Sequence, residues 1–193
     1  SAEARFEFGS NLFGYNLNLG LENIDMVKLE GDLFNKQTLS GRLKADILAH
    51  SKQEPRLKVN AQIIEGAIGN VPLLNDLADF MRFEAIRNIY FEKLDFSRWD
   101  YSSGDKAFNF NLTNPDMSLV YKFNTDSQDN LKGYLSVLMY KKLLEKSDNF
   151  RRLLNFVKER SQSLTFEFDL GGKSVAPRFL WRKSEFRTKL IQQ

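Results

Sequence analysis

The chain has 193 residues, 42% of them hydrophobic and 27% charged, with a formal net charge of +3. That is enough apolar side chain to fill a core, and too little bias for a disordered or fibrous chain. One histidine and no cysteine exclude disulfides, zinc–thiolate sites, a cysteine nucleophile and any metal centre built on two or three imidazoles.

The first segment alternates. Phe6 and Phe8 flank Glu7, and Tyr15, Leu17, Leu19 and Leu21 alternate with Asn16, Asn18 and Gly20. A period of two puts these apolar side chains on one face of a sheet. Gly9-Ser10-Asn11 and Gly14 are expected in turns. Leu39 to Ala49 predicts a strand with Leu43, Ala45 and Ile47 facing one way and Arg42, Lys44 and Asp46 the other. His50 to Pro55 reads as a hairpin loop. Leu57, Val59, Ala61 and Ile63 then resume the alternation, and Glu65-Gly66 closes the strand. Next the period changes. Leu73, Leu77 and Met81, with Leu74 and Ala78 beside them, form one helical stripe. Asn70 is the expected cap and Pro72 suits the first turn, with the end expected between Phe83 and Asn88.

Strands return at Ile89 to Phe96 and Ser97 to Tyr101, followed by a turn at Ser102-Ser103-Gly104-Asp105. Phe108, Phe110 and Leu112 alternate with Asn109 and Asn111. Asn114-Pro115-Asp116 is a second turn, and Leu119, Tyr121 and Phe123 alternate with Val120 and Lys122. Thr125 to Asn130 is a polar loop. Gly133 to Met139 reads as a strand or as the approach to a helix. Leu143, Phe150, Leu154 and Val157 share one helical face, with Ser147 a possible cap inside it. Leu164 to Leu170 is the last clear strand, carrying Phe166 and Phe168. Gly171-Gly172 and Pro177 bound a loop before Phe179-Leu180-Trp181.

The expected fold is β-rich, α+β: a curved antiparallel sheet, or an open sandwich or β-groove, with two helical segments capping it. Residues 1–193 are read as a single domain, with a loose duplication of 1–88 and 89–193. No apolar stretch approaches the roughly 18 residues of a membrane span. No signal peptide is visible at Ser1-Ala2-Glu3, and any export signal or anchor is expected upstream.

Catalytic and nucleic-acid motifs fail on spacing. Gly171-Gly172-Lys173-Ser174 matches the tail of a phosphate loop, yet Glu167 stands where the first glycine belongs and Pro177 where a helix should start. Lys132-Gly133-Tyr134 lacks the small and aromatic residues of an RNA-stacking strand, so Tyr134 is expected in the core. Lone His50 suits a surface loop. Asp126, Asp129 and Asn130 lack the spacing of a calcium loop. Glu65, Glu84, Glu92 and Asp95 offer carboxylates for glycoside chemistry, with nothing to pair any two. Asn111-Leu112-Thr113 fits the glycosylation pattern. The basic stretches Lys141-Lys142, Arg151-Arg152 and Arg178 to Lys189 read as solvated faces, the last also suiting an anionic lipid surface.

Several segments together resemble a family. They are Thr38-Leu39-Ser40-Gly41-Arg42-Leu43-Lys44-Ala45-Asp46, Leu57-Lys58-Val59-Asn60-Ala61, Ile63-Ile64-Glu65-Gly66-Ala67-Ile68-Gly69 and Pro72-Leu73-Leu74-Asn75-Asp76-Leu77. With the strands at Phe91 to Tyr101, Phe108 to Leu112 and Met117 to Phe123, they resemble the C-terminal region of AsmA-like proteins. The ending Leu164 to Gly172, then Ala176-Pro177-Arg178-Phe179, is similar to the family's terminal strand, glycine and proline. The resemblance covers most of residues 30 to 181. It implies an envelope location in a diderm bacterium (the periplasm), an inner-membrane anchor outside this chain, and a β-groove related to TamB and the bridge-like lipid transfer proteins.

The functional expectation is a non-enzymatic domain that holds phospholipid or another acyl lipid on an apolar sheet face, without a cofactor, a metal or a nucleic-acid partner. The expected lining is Leu17, Leu19, Val59, Ile63, Phe108, Phe110, Tyr121, Phe123, Phe166 and Phe168. Burial of methylenes is non-directional and worth about 0.8 kcal/mol each, so such a lining needs no reactive group. The alternatives are a structural module binding an envelope protein partner through a sheet edge or helix, and a carboxylate-dependent hydrolase.

Overall fold

A computed structural model of the protein describes residues 3–11, 14–29, 38–146, 150–151, 162–174 and 176–182. Its strands are β1 (Glu3–Asn11), β2 (Gly14–Asp25), β3 (Arg42–His50), β4 (Leu57–Gly69) and β5 (Asn88–Asp100). They continue with β6 (Lys106–Thr113), β7 (Met117–Thr125), β8 (Leu131–Tyr140), β9 (Ser163–Lys173) and β10 (Ala176–Trp181). Helix α1 (Pro72–Met81) and a 3-10 turn (Glu84–Ile86) join β4 to β5, and the short helix α2 (Lys141–Leu144) follows β8. Helical backbone also runs through 26–29 and 150–151.

Every strand pairs antiparallel with its neighbour in sequence, giving one open ten-stranded sheet. The β-rich curved antiparallel sheet is therefore the architecture, and no second sheet packs on it among the described residues. Short polar turns make the meander possible. In the β6–β7 turn, Asn114 Oδ1 accepts from the N–H of Asp116 at 2.8 Å and of Met117 at 2.7 Å, the usual way an Asn side chain closes a turn.

Antiparallel register carries the alternation across the sheet. Leu43, Ile63, Leu94, Leu112, Leu119, Val137 and Phe166 stand opposite one another strand by strand, and all are buried. Leu74, Leu77 and Ala78 of α1, Ile86 of the 3-10 turn, Leu143 and Leu144 of α2, and Phe150 belong to the same cluster. Phe83 and Phe166 both meet Phe150 edge-on, at 5.4 and 5.3 Å between ring centres. The helices thus close one band of the face.

Two left-handed residues keep this face continuous. Asn23 (φ 55°) lies in a register shift of the β2–β3 pair between Leu21 and Ile24, which returns Ile24 to the side of Leu43. Glu65 (φ 51°) lies between the pairs Ile64–Lys93 and Gly66–Phe91. There the inward positions change parity on both strands, from Ile63 and Leu94 to Gly66 and Phe91. Gly66 is required at that point: a Cβ would fall 2.1 Å from the Ser40 carbonyl oxygen and 2.6 Å from Cζ of Phe91.

Several local expectations are corrected. Gly9-Ser10-Asn11 lie in β1, where Asn11 pairs with Gly14. Glu65-Gly66 is a kink within β4 rather than its end. Ile89 to Asp100 is one strand, not two, because nothing between Phe96 and Ser97 breaks the ladder, and Tyr101 lies just past its end. Asn70 does not cap α1; the cap is Val71, in extended backbone with no side-chain bond, as a residue preceding proline must be. Helix α1 stops at Met81, with Arg82 left-handed, and the Phe83 N–H donates to the Ala78 carbonyl at 2.9 Å. Gly133 to Met139 is strand. Ser147, Leu154 and Val157 lie outside the described residues.

Two predictions follow from this packing. Gly66→Ala should lower stability by about 1–3 kcal/mol, as overpacking against fixed backbone does, and Gly9→Ala, with nothing within 4 Å of its Cβ, should change it by less than about 0.5 kcal/mol. Urea melts compare the two. The second concerns acid. Asp126 in the β7–β8 turn accepts from Asn130 Nδ2 at 2.8 Å, Asn130 N at 2.9 Å and Gln128 N at 2.8 Å. Asp169 accepts from Arg182 Nη2 at 2.6 Å and Nε at 3.0 Å. The Asn130 bonds and the Arg182 guanidinium hold both carboxyls below their ordinary value of 3.8. A depressed carboxyl stabilises the fold while ionised and loses that contribution as the pH falls through its folded pKa. The urea midpoint should fall below about pH 4, and less steeply in an Asp126→Asn, Asp169→Asn double variant.

Candidate functional site

Parity and register place all ten expected lining residues on the same face as the buried band. They divide into two groups. Ile63, Phe166 and Phe168 are closed off, at 4%, 3% and 0% exposure. Phe166 packs on Phe150, and the ring of Phe179 stands edge-on to Phe168 at 6.2 Å. These three are core. Leu17, Leu19, Val59, Phe108, Phe110, Tyr121 and Phe123 are only half-buried.

The half-buried group forms rows beside the closed band. One row runs Leu19, Ile47, Val59, Arg98, Phe108, Phe123. The row between it and the closed band holds Ala61, Phe96, Phe110 and Tyr121. Aromatic rings tile this part of the face: Phe108 stacks on Phe123 at 4.5 Å and 9° between planes, and Tyr121 on Phe123 at 4.4 Å and 25°. Phe96 leans toward Phe108 at 6.5 Å. Such pairs add about 0.5–1.5 kcal/mol beyond the area they bury. The rings are therefore held in place while still partly open to solvent. Burial pushes the Tyr121 phenol up to about 12, so it stays neutral and adds no charge to the apolar surface.

One ion pair interrupts this surface. Arg98 Nε and Nη2 donate to Asp100 Oδ1 and Oδ2 at 2.7 and 2.6 Å, and the guanidinium lies over the Phe108 ring, 5.6 Å from its centre. The Asp100 bonds raise the Arg98 pKa further above its ordinary value. Lys106 stands across from Asp100 in the β5–β6 register.

The opposite face is polar. Lys44 pairs with Glu22 at 3.2 Å, Gln62 donates to Asp95 at 3.1 Å, and Tyr134 donates its hydroxyl to Glu167 at 2.7 Å. Tyr134 is thus not core: even-numbered positions of β8 face outward, and the guanidinium of Arg182 covers its ring at 5.2 Å. Asn111 lies inside β6 with its Oδ1 buried, so the Asn111-Leu112-Thr113 triplet sits in a strand rather than in a loop. Asp95 is also paired with Lys93 and Glu84 with Arg87, while Glu65 and Glu92 flank the kink. Gly171 and Gly172 (φ 91°) lie within β9, paired with Arg178 and Pro177 of β10, so the loop expected between the glycines and Pro177 is part of a hairpin, and a strand stands where a phosphate loop would need a helix. Most of the basic stretch Arg178 to Lys189 lies outside the described residues, as does Arg152.

A cleft of about 720 Å³ opens between hairpin tips, lined by Glu54, Tyr101, Asp105, Asp126 and Lys132 among others. Its carboxylates already serve the turns: Glu54 accepts from Ser102, Asp105 from Ser103, and Asp126 from Asn130. Among the described residues no three His, Asp or Glu side chains converge as metal ligands.

Ile47, Phe96 and Arg98 are lining residues that the sequence reading did not single out. Splitting β5 at Ser97 hid the alternation Leu94, Phe96, Arg98, Asp100 that was present in the chain. A charge scan separates the open and closed rows. Phe168→Glu should prevent folding, since an unpaired buried carboxylate costs several kcal/mol. Phe123→Glu, on the half-open row, should cost no more than about 3 kcal/mol, the value of burying one such ring; circular-dichroism melts read both. No protein-family model, no curated protein and no solved structure matches the chain, so the resemblance to AsmA-like proteins rests on the strand, glycine and proline pattern alone.

Proposed function

We propose that this domain binds lipid without catalysis, holding acyl chains on the half-open aromatic part of its apolar face as an AsmA-like lipid-transfer domain of the periplasm. The observation that carries the reading is the unequal covering of one continuous face. The row through Leu94, Leu112 and Leu119 is buried in one cluster with the helices, while the next two rows, through Phe96, Phe110 and Tyr121 and through Val59, Phe108 and Phe123, keep contact with solvent. A folding core gains nothing from leaving stacked phenylalanines in that state. Exposed apolar patches beyond a few hundred Å² are the ordinary mark of a binding surface.

The mechanism needs only area. Each methylene that leaves water against the rings gains about 0.8 kcal/mol, and a flat, non-directional lining lets a chain slide from row to row with little change in contact. The polar outer face and the Gln62–Asp95 and Tyr134–Glu167 bonds keep the other side of the sheet wetted. No helix among the described residues is long and apolar enough to cross a membrane.

A second reading, a module that binds an envelope protein, draws on one observation: β1 and β10 each have a single strand neighbour among the described residues. Free edges accept a strand from a partner. The two readings part on one experiment. The chain is purified from a diderm host, extracted, and its lipids counted by mass spectrometry. Lipid in near-stoichiometric amount is expected, reduced several-fold in Phe110→Glu and Phe123→Glu variants that still fold. A lipid-free protein that self-associates with concentration in sedimentation would sink the lipid reading and favour the edge.

A further inference from the structure

The rows near the hairpin end of the β5–β7 face run from charged to greasy. Outermost stand Asp100, Lys106 and Thr125. Then come Arg98, Phe108 and Phe123, then Phe96, Phe110 and Tyr121, and last the closed row of Leu94, Leu112 and Leu119. Charges on an apolar face are costly unless paired, and here two cations face one carboxylate. Asp100 occupies one edge of the Arg98 guanidinium, which uses two of its five N–H groups. No other hydrogen bond from that guanidinium reaches a described residue. Lys106 forms no ion pair among the described residues. The Arg98 and Asp100 side chains keep 36% and 22% of their exposure, so the pair is reachable from solvent, and the guanidinium lies over the Phe108 ring.

We propose that Arg98 and Lys106 form a headgroup subsite for an anionic amphiphile, a phosphate-bearing lipid whose chain lies inward over Phe108, Phe123 and Phe110. The inference rests on the lipid-binding reading and adds to it a direction and a charge preference. Within these rows the two cations outnumber the one carboxylate, which favours an anion there, while Glu54, Asp105 and Asp126 at the hairpin tips are held by their own turns. The free guanidinium edge presents parallel donors, the geometry that phosphate oxygens accept. The apolar rows begin within one residue pair of those donors. A head at the rim and a tail toward the closed band is the only order that leaves both ends of an amphiphile satisfied on this surface.

The test uses the full 193-residue chain loaded with the neutral fluorophore N-phenyl-1-naphthylamine. Dodecyl phosphate and dodecyl maltoside, both below their micelle-forming concentrations, compete for it. Dodecyl phosphate should displace the fluorophore at about tenfold lower concentration, the effect of one charge-assisted hydrogen bond. Lys106→Gln should erase that advantage without changing fluorophore affinity, and an Arg98→Gln, Asp100→Asn double variant that leaves no carboxylate stranded should bring the ratio of the two displacing concentrations to about one. Equal potency of the two detergents in the unmodified protein, or a preference that survives both variants, overturns the subsite while the lipid-binding reading stands. If inorganic phosphate at matching concentration removes the advantage, the subsite takes free phosphate and the amphiphile assignment is overturned. If neither fluorophore nor detergent binds, the lipid-binding reading itself fails and the subsite with it.

Discussion

The molecule depends on strand parity held in register across ten neighbours. In an antiparallel ladder a slip of one residue turns a whole strand inside out. Here, from β2 to β9, Leu19, Ile47, Val59, Phe108, Phe123 and Leu170 meet on one side and Asn18, Lys58, Asn109 and Lys122 fall on the other. Two residues in left-handed backbone, Asn23 and Glu65, restore the parity where it would be lost. Such conformations cost of order 1–3 kcal/mol each, and the buried leucines, worth about 1.5–3 kcal/mol apiece, exceed that cost. Both corrections lie next to the band that the helices close, where an inverted side chain would do the most damage.

A sheet with one greasy face has to cover it or use it. This one does both along different rows. The buried residues of the described helical segments share one cluster with Leu112, Val137 and Phe166, and Phe150 meets Phe166 directly. Beside that band the stacked rings of Phe108, Tyr121 and Phe123 are stabilised by each other rather than by a lid. Rigidity and exposure, which usually compete, are reconciled because neighbouring strands fix each ring from the side. The same strands set an arginine and a lysine at the rim, so the surface grades from charged to aliphatic over four residue pairs.

Much of this was legible in the chain. The period of two at Leu17 to Leu21, Leu57 to Ile63, Phe108 to Leu112 and Leu119 to Phe123 specified the sheet and the side each residue takes. Leu74, Leu77 and Ala78 specified the buried stripe of α1. What escaped was non-local. The break in alternation at Glu65-Gly66 reads locally as a strand end, and only the matching change of parity between Phe91 and Leu94 shows that the strand continues through it. Phe166 and Phe168 have the same alternation as Phe108 and Phe110, yet the first two are sealed and the others are not. That difference comes from residues outside their own strand, Phe150 against Phe166 and Phe179 against Phe168. Arg98 reads as an ordinary surface cation until its row is assembled.

The kink at Glu65 carries a consequence for how such a sheet changes over evolutionary time. Parity behaves like a reading frame: one inserted residue in β4 scrambles everything downstream to the next turn. The frame change at Glu65 is harmless because β5 makes the matching change at Glu92–Lys93. Single insertions are therefore intolerable within the strands unless a neighbour mutates in step, whereas whole hairpins, which preserve the frame, can be gained or lost. A lineage built on this plan should vary in strand number far more readily than in strand length.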